Sequence, residues 1–159
     1  MTTLRKSQGR RTRGFTLIEA LVALLVLSIG LLGVAALQLT SLRSNHGSAM
    51  RSQATFLAYD IIDRMRANRA AALAGNYNIA LGAVGTSGTV AGNDLIAWKQ
   101  NIARTLPAID YAGTPQAADG AVTQTGNIFT VTIRWSDWDD VTAGARTALQ
   151  FSMDTQLLN

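Results

Sequence analysis

The run Ala20–Leu37, ALVALLVLSIGLLGVAAL, constrains what this chain can become more than any other segment. It holds eighteen residues without a charge, and Ser28 is its one polar side chain. As a helix, a run of this length just reaches across the hydrocarbon layer of a bilayer. Arg5, Lys6, Arg10, Arg11 and Arg13 stand before it, and no acid occurs among the first thirteen residues. Basic residues beside a membrane helix stay on the cytoplasmic side, so the remainder of the chain is expected outside the cytoplasm. That cluster also accounts for the formal charge of +4, because from Gly14 onward nine Lys/Arg face ten Asp/Glu. A nucleic-acid surface needs basic charge spread over a folded face, and such a face is not expected here. With no cysteine in the 159 residues, neither a disulfide nor thiolate chemistry is available.

A secretory signal peptide is the first competing reading, with Val34-Ala35-Ala36 as a small-residue cleavage site. The apolar run is longer than a usual signal core, the helical pattern continues past it, and no proline appears before Pro107. Glu19 at the start of the run raises a second question. A carboxylate in hydrocarbon is costly and is a functional candidate for that reason. An acid near a helix N-terminus can also sit wet at the interface. Taken alone, Glu19 leaves both readings open.

Beyond Gln38 the polar fraction rises, yet Met50, Ala54, Leu57, Ile61 and Met65 recur at three- and four-residue steps. They predict one apolar helical stripe. Asp60 with Arg64 and Asp63 with Arg66 are spaced as helical charge pairs, expected on the exposed side. From Phe15 to about Asn68 the helix would be roughly 80 Å long. Gly30 and Gly33 weaken it slightly and permit close helix contact. Residues 74–92 hold five glycines and read as a loop, with no Lys-Ser/Thr ending to make it a phosphate loop. Asn93 or Asp94 is expected to cap a short helix ending before Pro107, with Leu95, Trp98, Ile102 and Leu106 on one face. Phe129, Val131, Ile133 and Trp135 alternate with Thr130, Thr132 and Arg134, and Leu149, Phe151 and Met153 alternate with Ala148, Gln150 and Ser152. Ala121–Thr125 is a weaker strand joined through Gly126-Asn127. The expected class is α+β: a long N-terminal helix against a small antiparallel sheet, with a short second helix.

Residues 10–19, RRTRGFTLIE, resemble the type IV pilin and pseudopilin family. The signature of its precursors is a basic leader, Gly, an aromatic, Thr-Leu-aliphatic-Glu, then an apolar helix. The resemblance implies cleavage after Gly14 by prepilin peptidase and N-methylation of Phe15, the new N-terminus. It also implies a subunit-assembly role for Glu19, paired with the Phe15 amine of a neighbour; two ions that each cost free energy in lipid offset each other when paired. SIGLLG at 28–33, LRSNH at 42–46, RSQATFLAYDIIDRMRANR at 51–69 and VTIRW at 131–135 resemble the PilV minor pilins, the type IV pilus modification proteins. The likeness is strong over 14–69 and thin over 70–120. Major pilins usually carry a proline in the apolar half of the helix and a disulfide-bounded C-terminal loop, and this chain has neither.

The implied organisation is a leader at 1–14, removed on processing; a membrane and assembly segment at 15–41; and a periplasmic pilin domain at 42–159. The implied place is the inner membrane, single-pass, and then the pilus at the cell surface. The implied partners are other minor pilins, the major pilin, prepilin peptidase and the inner-membrane assembly platform. The implied role is to promote pilus assembly, and through it twitching motility, adhesion or DNA uptake. A type II secretion pseudopilin and a tip adhesin or DNA-binding module are the alternatives. No cofactor, metal or enzymatic activity is expected, because no Ser-His-Asp, Cys-His or paired-carboxylate set presents itself. His46 reads as a surface or packing residue. Asp137, Asp139 and Asp140 read as a solvated turn more than a calcium loop. Trp98, Trp135 and Trp138 read as buried anchors.

Overall fold

The computed structural model describes the backbone of residues 16–111, 114–142 and 145–157, and side chains within these except at 110–115 and 137–147. The chain divides into two units between Leu42 and Arg43. Helix α1, Leu17–Ala67, starts at Thr16, whose hydroxyl accepts the Glu19 N–H at 3.3 Å. Through the first unit its large apolar side chains, from Leu17 to Leu42, are exposed.

In the second unit, α1 turns Ala54, Ala58, Ile61, Ile62 and Met65 fully into a core. The expected stripe is present but wider: Ala58 and Ile62 lie deep, while Met50 and Leu57 are only partly buried against the core. After Asn68 comes α2, Arg69–Leu73, a five-residue helix not foreseen in the sequence. It ends where Gly75 takes φ +84. Gly75 N–H then bonds Ala72 O and Asn76 N–H bonds Ala71 O, which satisfies the last carbonyls of the helix.

The glycine-rich segment is a loop, but a pinned one. Tyr77 and Ile79 are buried within it, and Ile79 exchanges backbone hydrogen bonds of 2.9 Å with Val122. Helix α3, Val90–Thr105, begins earlier than expected and is capped by Thr89, whose side chain accepts the Gly92 N–H at 3.0 Å. Asn93 and Asp94 are therefore not the cap: Asn93 accepts from Gly88, and Asp94 is engaged by α1. The expected face of α3 is present, with Leu95, Trp98, Ile102 and Leu106 all buried. Pro107 follows its last residues and prevents continuation.

A two-stranded hairpin, β1 Ile109–Tyr111 with β2 Thr114–Gln116, precedes the main sheet. That sheet is antiparallel, in the order β3 Asp119–Thr125, β4 Ile128–Thr142, β5 Ala145–Gln156. Gly126 and Asn127 make the β3–β4 turn, with Gly126 at φ +63 and Thr125 opposite Ile128. Phe129, Val131, Ile133 and Trp135 all face the core, as their alternation requires. Leu149, Phe151 and Met153 pack against it from β5. Residues 137–140, expected as a turn, lie within β4. There the pairing steps from Ser136↔Ala148 to Val141↔Arg146, so four residues of β4 oppose one of β5, which makes a bulge and not a chain reversal.

Candidate functional site

The sequence places function at the head of α1. Gly14 and Phe15 lie outside the described residues, so the geometry begins at Thr16. Thr16-Leu17-Ile18-Glu19 has the spacing of a capping box, a helix-start signal carried by the sequence itself. One half of the box is made, from Glu19 N–H to Thr16 Oγ1. The Glu19 carboxylate is exposed in the first turn of α1 and has no partner among the described residues. The backbone of its turn is fixed by the Thr16 cap, and the carboxylate is exposed at the head of the helix.

Behind Glu19 runs an apolar surface. Leu21, Leu25, Ile29 and Leu32 are 53–71% exposed, and none of the most apolar window of α1 is buried. A monomer in water rarely exposes an apolar surface so continuous. A lipid environment removes the penalty, and the window has the length and composition to cross a membrane.

Polar contacts in the second unit are concentrated where α1 meets α3 and the loop. Arg64 donates to Asp60 at 3.0 Å and to Asp94 at 3.2 Å. Asp60–Arg64 is therefore not simply a surface pair. Hydrogen bonding to Asp60 raises the Arg64 pKa against the opposing effect of burial, and Asp94 adds to the rise. Tyr77 donates to Asp94 at 2.6 Å and accepts from Asn68. Burial first, and that hydrogen bond next, push the Tyr77 phenol up to about 12. Trp98 Nε1 donates to the Leu57 carbonyl of α1 at 2.8 Å. Asp63–Arg66, by contrast, is exposed as expected.

Lys99 on α3 donates to Ala80 O, Ala83 O and Asp119, while Asp119 also accepts the Gly82 N–H. These contacts fold the loop onto the start of β3. His46 is exposed on α1. Among the described residues no group of three His, Cys, Asp or Glu is placed to hold a metal. Trp98 and Trp135 are buried anchors, and the side chains of Asp137, Trp138, Asp139 and Asp140 lie outside the described residues.

A model of the prokaryotic N-terminal methylation motif matches residues 9–35, and a model of type IV pilin Tt1218 matches residues 36–97. The two matches meet without a gap and together take in residues 9–97, which include α1, α2, the loop and the first half of α3. The chain carries an N-terminal methylation motif joined to a type IV pilin domain. No curated protein and no solved structure matches it. Pilins are structural subunits that assemble with other pilins, and the exposed apolar helix of this pilin-like chain fits a membrane anchor.

Proposed function

We propose that this chain is a minor pilin of a type IV pilus, of the PilV kind, and acts as a non-catalytic subunit that helps pili to assemble. The observation that carries the proposal is the exposed Glu19 carboxylate, without a partner among the described residues, in the Thr16-capped first turn of an uncovered apolar helix. In a low-dielectric layer an attractive charge is worth far more than in water. The methylated Phe15 amine of an adjacent subunit is the proposed partner, which places Glu19 as a register mark between helices. Prepilin peptidase cleaves after Gly14, where the missing side chain leaves the bond unhindered. The leader is then 1–14, the assembly segment 15–41, and the periplasmic domain 42–159. The helix has no proline and the chain no cysteine, which supports a minor over a major subunit. The partners are the other pilins and the inner-membrane assembly platform, and the final location is the pilus.

The test is a pair of variants, Glu19→Ala and Glu19→Gln. Both should be processed after Gly14, shown by intact mass with loss of residues 1–14 and gain of one methyl group, and both should insert stably. Neither should cross-link to other pilins in the membrane. Wild-type assembly by either variant would leave Glu19 as a wet residue at the helix start. Gene deletion should reduce surface pili and leave the major pilin in the cell. Recovery of this chain as the bulk of sheared filaments would make it a major subunit.

A further inference from the structure

A groove of about 720 Å³ runs beside the edge strand β3, between the 81–85 loop and α3. Its walls are mostly apolar, including Leu81, Val84 and Ile96, and Val84 is 84% exposed. Among the described residues, three charged side chains line it: Lys99, Asp119 and Arg134. Lys99 and Asp119 are committed to each other and to the loop backbone. Arg134 stands directly opposite Asp119 across the β3–β4 ladder, but the Asp119 carboxylate is turned to Lys99 and Gly82. Arg134 is left over, its Nε buried with no hydrogen-bond partner among the described residues. On the same face of β4, Thr130 bonds Asp154 and Thr132 bonds Ser152. A guanidinium whose buried Nε has no acceptor, in a groove whose described lining carries two cations and one acid, is an incomplete site. A buried donor left unmade costs more than an ordinary hydrogen bond gains, and Arg presents a fork that matches a carboxylate.

We infer that this groove receives a segment of a neighbouring pilin subunit that carries an Asp or Glu beside an apolar residue. The carboxylate meets Arg134, and the apolar neighbour covers Leu81, Val84 and Ile96. The charge complementarity selects the acid, and the exposed walls select what flanks it. The inference rests on the pilin reading above and adds to it a contact between globular domains, separate from the α1 helices.

The test places a photo-reactive residue at Gln100, an exposed position on the groove wall, in the full chain within cells that assemble pili. A second chain carries it at Val26 on α1. The Gln100 probe should give an adduct with another pilin, and peptide mass mapping should locate it within a few residues of an Asp or Glu. Arg134→Gln should lower that yield about tenfold, as expected for loss of a charge-assisted hydrogen bond, while Arg134→Lys retains most of it. The melting temperature of Arg134→Gln should be unchanged or higher, because the buried Nε has no hydrogen-bond partner among the described residues to lose. Adducts from Val26 but none from Gln100 overturn the groove and leave the pilin reading standing. A Gln100 adduct indifferent to Arg134→Gln, or one formed with lipid, also overturns it. Adducts from neither position overturn both.

Discussion

Gly120 is the point of closest approach between α3 and β3. A Cβ added there would lie 2.3 Å from Trp98 Cη2 and 2.7 Å from Ile102 Cδ1, both buried side chains with no room to yield. Gly120→Ala is expected to destabilise the domain by about 1–3 kcal/mol, read as a lower urea midpoint. Tyr77 offers a pH test. Its phenol is held up to about 12 from an ordinary 10.0, so between these values the unfolded chain has lost the proton and the folded chain keeps it. The stabilisation is whole below pH 10 and is lost as pH rises toward 12, on the order of 2 kcal/mol. Tyr77→Phe should lack this added alkaline loss in parallel denaturation series. A tyrosine among polar neighbours gave no sign of this in the sequence, because the shift comes from burial and from Asp94, seventeen positions away.

At the scale of elements, α3 and the loop are held to the rest by polar contacts more than by their own propensity. Asp94 takes both Arg64 and Tyr77. Asp94→Ala should therefore cost about 2 kcal/mol by stranding a buried phenol, measured by urea unfolding. Asp63→Ala, on an exposed pair of the same helix, should change stability by less than about 0.5 kcal/mol. The strands were legible because period-two alternation records which face is buried, from Phe129 to Trp135. The start of α3 was not. Asn93, Asp94 and Thr89 are all competent caps, and the choice fell on Thr89 because Asp94 was drawn away to Arg64. The 137–140 bulge was also hidden, since a run of acids reads as a turn until a partner strand pairs on either side of it.

At the scale of the whole molecule, residues 43–159 contain the buried core, and the apolar side chains left exposed there, such as Phe56, Val84 and Ile128, are scattered. A chain starting at Arg43 should be soluble, with a single cooperative thermal transition; aggregation under mild conditions would mean that α1 and the sheet do not close the core. The sequence by itself determined the membrane-length helix, its acidic head, the apolar stripe, the alternating strands and the turn at Gly126. Each of these is a local property, carried by residue type and period along a few turns or one strand. Only the tertiary structure decided which charges are structural and which is left over. Arg64 meets Asp94 thirty positions on, and Lys99 meets Asp119 twenty positions on, while the buried Nε of Arg134 has no hydrogen-bond partner among the described residues. No spacing rule encodes such pairings, because they depend on how helix, loop and sheet edge are brought together by the core they share.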